Sequence, residues 1–152
     1  MTISSGVKNF ADKLLGEIEK VKNPSCIGLD PRIEEMPNFL KRKNAEKALF
    51  EFNKMIIDAT YDIVPAFKIQ IAFYEKHKIE GIRAFEKTIH YLKKKNKIVI
   101  VDAKRNDIGP TAEAYSSAFL SPGGFDVDAI TVNPYLGIDG LKPFIDDAIK
   151  YK

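Results

Sequence analysis

Apolar residues at Phe10, Leu14, Ile18 and Val21, with charges between them, recur in steps of four, four and three. That spacing predicts an amphipathic helix, and Asn23-Pro24 ends it, because proline cannot continue the hydrogen-bond ladder. Cys26-Ile27-Gly28-Leu29 then reads as a short buried strand ending at Asp30-Pro31-Arg32, followed by a polar, proline-punctuated connection to about residue 43. Asn44 is a candidate N-cap for a helix with Leu49, Phe52, Ile56 and Ala59 on one face. The run from Ile63 to Ile69 predicts a second strand, with Pro65 near its start, where a missing donor is tolerated. Ile82, Phe85, Ile89 and Leu92 share a face of a third helix, and Ile98-Val99-Ile100-Val101 is the clearest strand. Pro110 suits the first turn of a helix running to Leu120, and SPGGFD over 121–126 reads as a turn-rich loop. Ala129-Ile130-Thr131-Val132 is a fourth strand; Asp139 reads as the cap of a last helix carrying Leu141, Phe144, Ile145 and Ile149.

One helix followed by four strand–helix units predicts an α/β fold with a parallel sheet, covered on both faces or closed on itself. Two architectures compete. A doubly wound domain would be complete in 152 residues. A (β/α)8 TIM barrel needs about 250 residues, so four units would supply half of one.

Composition narrows the function only slightly. Hydrophobic residues make up 45% of the chain and charged ones 30%, enough for a single domain with a real core. The net charge of +3 is small and its two signs are interspersed, which gives no argument for a nucleic-acid or membrane partner. The basic cluster Lys93-Lys94-Lys95-Asn96-Lys97 reads as a solvated helix end. Cys26 is the only cysteine and reads as inert core, so no intrachain disulfide is possible; a cytoplasmic location fits. The N-terminal segment lacks the basic flank and unbroken apolar stretch of a signal peptide, and no apolar run reaches the ~18–20 residues of a membrane span.

In parallel α/β folds functional groups gather at strand ends, and here three of the four strands carry charge there or nearby. The first ends at Asp30, the second contains Lys68, and the third runs into Asp102-Ala103-Lys104. Strand alternation puts Ile100, Asp102 and Lys104 on one face, apolar below and charged at the rim. Lys68, Asp102 and Lys104 could alternate as one ion network, because an unpaired charge is costly in a partly desolvated site. A structural ion cluster and a catalytic site both satisfy that pattern, and spacing alone names no reaction. Arg105, one residue out of phase, points away, toward a salt bridge or a dimer contact. His77 and His90 have no second ligand at i+4 and read as surface or packing residues. Gly123-Gly124 fits a turn rather than a phosphate loop; Phe67, Phe73 and Tyr74 read as packing residues.

IGLDPR at 27–32, AFKIQIAFYE at 66–75, DAKRNDIGPTAEAY at 102–115 and AITVNPYLG at 129–137 closely resemble the orotidine 5′-phosphate decarboxylases, in particular their longer-chain bacterial branch. The resemblance covers essentially the whole chain in order. It implies a TIM barrel whose N-terminal half is supplied by residues 1–152, converting orotidine 5′-phosphate to uridine 5′-phosphate in pyrimidine biosynthesis without metal or cofactor. By the same resemblance Asp30 binds ribose hydroxyls, Lys68 joins a charge network and contacts the ribose, and Asp102 stands beside the substrate carboxylate. Lys104 protonates C6. Asp107, Ile108 and Thr111 act across a homodimer interface in the neighbouring site, and Asn133 lies near the active site. The glutamine and arginine that grip the phosphate, and a serine that contacts the pyrimidine, belong to four further strands of the family's barrel. Two other readings remain: a magnesium-dependent sugar-phosphate decarboxylase or synthase of the same superfamily, and a catalytically silent half-barrel module.

Overall fold

The computed structural model describes residues 9–152. Helix α1 (Phe10–Val21) starts at Asn9, whose side chain accepts from the Asp12 amide, and stops at Lys22 in the left-handed region, φ 53°. Four strands follow: β1 (Cys26–Leu29), β2 (Ala66–Gln70), β3 (Ile98–Arg105) and β4 (Ala129–Val132). A 3-10 turn (Ile33–Glu35), the single turn α2 (Asn38–Lys41) and helix α3 (Ala45–Thr60) connect β1 to β2. The turn α4 (Ala72–Glu75) and helix α5 (Lys78–Lys94) lead to β3, α6 (Gly109–Leu120) leads to β4, and α7 (Ile138–Tyr151) comes last.

All strand pairs are parallel, and their spatial order is β1-β2-β3-β4. In a doubly wound sheet the strand order reverses at a switch point. Here it does not, so the sheet is a four-stranded part of a barrel wall, each unit placed beside the one before it. Side-chain parity then separates two faces. Leu29, Phe67, Ile69, Val99 and Val101 are fully buried in one cluster with Leu49, Ile57, Phe85, Ile89 and Leu92 of α3 and α5. The opposite parity has Ala66 and Ile98 as a buried apolar floor, and above them the half-buried Lys68, Gln70, Ile100 and Asp102. Within the core, Asn53 donates to the Tyr74 hydroxyl (2.8 Å) and to Thr88 Oγ1 (3.1 Å), and Tyr74 donates to the Leu29 carbonyl at 3.3 Å. Those bonds tie α3, α4 and α5 to the end of β1. Among the described residues no helix is long and apolar enough to cross a membrane.

Several local expectations shift. The polar connection after β1 contains the 3-10 turn and α2, which bury Met36 and Leu40. Asn44 does cap α3, accepting from the Lys47 amide, but the buried face is Ala48, Leu49, Asn53 and Ile57; Ala59 is exposed. That face is set by the aromatic and hydroxyl groups of α4 and α5 that Asn53 must reach. Strand β2 begins at Ala66, leaving Ile63 exposed, and buried Pro65 lies just before it. Gly137, not Asp139, is the N-cap of α7, and Asp139 falls in the first turn, where its charge suits the helix dipole. Cys26 is exposed rather than core, because it opens β1 at the sheet edge, with a strand partner on one side only. The lysine cluster is not simply solvated: Lys97 is buried and bonds the Val64 carbonyl (3.2 Å), Lys93 pairs with Asp126, and Lys95 lies over the Tyr61 ring.

Candidate active site

The open face of the sheet becomes polar toward the C-terminal ends of its strands, and register explains which groups meet there. Gly28 of β1 pairs with Lys68, Lys68 with Ile100, and Gln70 with Asp102. Lys68 Nζ lies 3.7 Å from Asp30 Oδ1 and 3.4 Å from Asp102 Oδ2, and Lys104 Nζ lies 2.5 Å from Asp102 Oδ1. The resulting chain of charges alternates strictly: Asp30, Lys68, Asp102, Lys104. Asp102 is its least exposed member, with 13% of its side chain accessible against 65% for Lys104. The hydrogen bond from Lys104 holds the Asp102 carboxyl below the ordinary carboxylate value; Thr131 and the charges of Lys104 and Lys68 act the same way, against the upward push of burial.

The link from Asp102 to Lys104 is not simple strand alternation. The β3–β4 register slips between Val101 and Arg105, and Lys104 has φ 48°, so a bulge turns the lysine back over its own strand. Two further members of the cluster, Gln70 and Thr131, carry no charge to mark them in the sequence. Gln70 Nε2 donates to Asp102 Oδ2 at 2.9 Å, and the Thr131 hydroxyl donates to Asp102 Oδ1 at 2.8 Å. The signal was available, because Gln70 is in phase with Lys68 on β2, as Thr131 is with Ala129 on β4, where Ala129 pairs with the inward Ile100. Arg105 does point away: its Nη2 pairs with Glu75 at 2.5 Å and its guanidinium stacks over Tyr115 and Phe119.

Residues 24–152 match the profile described as "Orotidine 5'-phosphate decarboxylase / HUMPS family". The chain belongs to that family. A curated orotidine 5′-phosphate decarboxylase of Petrotoga mobilis is 48% identical over 136 residues, covering 88% of this chain and 46% of the relative. One from Clostridium acetobutylicum is 46% identical, covering 88% and 47%. The solved structure of Leishmania donovani OMP decarboxylase superposes with a TM-score of 0.75 at 32% identity, covering 91% of this chain and 50% of that one. The chain therefore spans about half the length of the relatives it matches, as four β/α units of an eight-unit barrel would.

Membership gives the remaining sequence-selected residues a place to be compared. Asp30, Lys68, Asp102 and Lys104 come together; Asp107, Ile108, Thr111 and Asn133 do not join them. Asp107 accepts its neighbour's amide, that of Ile108, at 2.9 Å. Ile108 is 57% exposed, Thr111 is exposed in the first turn of α6, and Asn133 accepts from the Tyr135 amide at 2.9 Å. Among the described residues no group of three or more His, Cys, Asp or Glu side chains is arranged to hold a metal ion.

Proposed function

We propose that this chain is the N-terminal half of a single TIM-barrel domain, residues 1–152, carrying the reacting end of an orotidine 5′-phosphate decarboxylase site. The alternating Asp30–Lys68–Asp102–Lys104 network at the strand ends, in a chain of this family, carries the reading. In the reaction the bond between C6 and the carboxylate carbon breaks. Carbon dioxide leaves and the bonding electron pair stays on C6, where the ring carbonyls cannot delocalise it. A preorganised ammonium stabilises that localised charge and then gives C6 its proton, which yields uridine 5′-phosphate and a neutral Lys104 that solvent reprotonates. Asp102 holds Lys104 in place through their ion pair and faces the departing carboxylate. Asp30 and Lys68 are positioned for the ribose hydroxyls. The half-buried Asp107 and the exposed Ile108 and Thr111 reach the neighbouring site of a homodimer, and Asn133 lines the mouth of its own. The other four β/α units, as an added chain or a continuation, carry the phosphate grip.

The test is to incubate orotidine 5′-phosphate with the chain alone, and with the chain mixed with the C-terminal half of the Petrotoga mobilis relative, following loss of substrate absorbance. Turnover is expected in the mixture and to vanish with Lys104→Ala. A stable mixed complex without turnover, or one whose Lys104→Ala variant turns over at the parent rate, overturns the reading. Magnesium-dependent turnover of a keto-sugar phosphate instead would assign the superfamily's other activity.

A further inference from the structure

The Asp102 carboxylate is saturated in a regular way, each oxygen taking one cation and one neutral donor. Oδ1 accepts from Lys104 Nζ and the Thr131 hydroxyl, and Oδ2 from Lys68 Nζ and Gln70 Nε2. The two neutral donors are not equivalent. A threonine hydroxyl has one proton and two lone pairs. The Thr131 proton goes to Asp102, and its oxygen accepts from the backbone amides of both Ala103 and Lys104, each at 3.1 Å. These amides fall where the β3–β4 ladder slips and no β4 residue stands in register with them. They belong to the left-handed Lys104 itself and to the residue before it, and residues other than glycine adopt that conformation only when their surroundings hold it. Gln70, by contrast, lies on a regular strand and touches only the carboxylate and the Ala72 amide (3.4 Å).

We propose that Thr131 is a positioning residue for the Asp102–Lys104 pair: one hydroxyl holds the bulge that turns Lys104 back and, through its proton, sets the Asp102 carboxylate. A substrate anion entering the site thus meets an aspartate whose orientation is fixed from β4 and an ammonium whose backbone is fixed by the same atom. The role in turnover rests on the decarboxylase reading above; the geometric role concerns this chain alone.

The experiment compares Thr131→Val, Thr131→Ala and Thr131→Ser in the 152-residue chain, with Gln70→Leu and Ile130→Val as controls. Two measurements need no catalysis: the Asp102 carboxyl titration by carbon-13 NMR, and hydrogen exchange at the Ala103 and Lys104 amides. In Thr131→Val the titration midpoint should rise by about one pH unit, the size set by a hydrogen bond to a charged group. Both amides should exchange roughly tenfold faster or more, as expected for a lost acceptor. Thr131→Ala carries the same test should the valine variant not fold, and Thr131→Ser should keep both parent values. Gln70→Leu should raise the titration without touching the amides. Ile130→Val, altering a side chain packed on the helix-side core, should do neither. Parent values in Thr131→Val and Thr131→Ala, a serine variant that behaves like valine, or the same changes in Ile130→Val overturn the proposal. In the complemented barrel, Thr131→Val should lower kcat about 10- to 100-fold with KM changed less than about threefold, as a positioning defect does. No turnover with Thr131 intact counts against the decarboxylase reading alone, because the two chain-level measurements still decide the role of Thr131.

Discussion

At the scale of single residues, Asp102 concentrates the electrostatics of the site. Its carboxyl titrates below the ordinary value, so the unfolded chain takes up this proton at a higher pH than the folded one. The stability it contributes is fully present above the unfolded carboxylate value, near pH ~4, and is lost as pH falls through the depressed folded value. Asp102→Asn removes that component. Its unfolding free energy, measured in urea from about pH 6 to about pH 3, should fall less steeply than the parent's over the acid limb; an equally steep limb contradicts the assignment. Lys104 supplies the largest share of the depression, so Lys104→Ala should raise the Asp102 titration midpoint by NMR. In the complemented barrel the same variant should cost at least about 10³-fold in turnover, since the proposed reaction gives one group the roles of both charge stabiliser and acid. Tyr74 tests the core beneath the site. Burial pushes its phenol up, so it stays protonated and holds Leu29 next to Asp30. Tyr74→Phe removes a bond in each direction and should cost about 1–3 kcal/mol in denaturant titration.

At the scale of elements, helix and strand identities followed from periodicity because the longer elements turn one apolar face inward, buried in α3, α5, β2 and β3 and half-buried in α1. The clean cases, α1 and β3, are those whose apolar stripe or run is unbroken. What periodicity could not supply is any element whose job is local. The turns α2 and α4 are too short to show a period, and Asn53 hides inside the α3 stripe as a polar residue in an apolar position. The site was legible to the same extent: Asp102, Lys104 and Lys68 stand out as charges in or beside apolar strands, whereas Gln70 and Thr131 look like ordinary strand residues. The bulge at Lys104 is set by a contact from β4, which lies 27 residues away in sequence, so no local pattern announces it. Close packing at the α4–α5 corner is equally silent. Gly81 sits where a Cβ would fall 1.8 Å from the Tyr74 carbonyl oxygen, a contact with backbone that cannot rotate away. Gly81→Ala should therefore destabilise the chain by at least about 1–3 kcal/mol, read as a lower urea midpoint with an unchanged slope. Parent stability in that variant would mean the corner is free to open.

At the scale of the molecule, the described sheet has edges at β1 and β4, and the surface beside β4 is apolar. Ile130 and Val132 of β4, Leu141, Ile145 and Ile149 of α7 and Phe10 of α1 line one groove, and Ile149 is 80% exposed. An unpaired parallel strand beside exposed isoleucines is a surface that seeks a partner, and parallel strands are normally buried on both sides. Within the barrel reading, the next β/α unit fills that groove: its strand pairs with β4 and its helix packs on α7. Until it does, the same surface should drive weak association of the chain with itself. Sedimentation of the 152-residue chain should thus show concentration-dependent oligomers, and addition of the complementary half should replace them by one complex. Ile149→Lys places a charge in the groove on a side chain that supports no part of the core. It should leave the fold and the Asp102 titration as in the parent, suppress self-association, and weaken complementation at least about tenfold, the penalty of desolvating one charge in an apolar contact. Unchanged complementation by Ile149→Lys would move the docking surface of the second half away from α7.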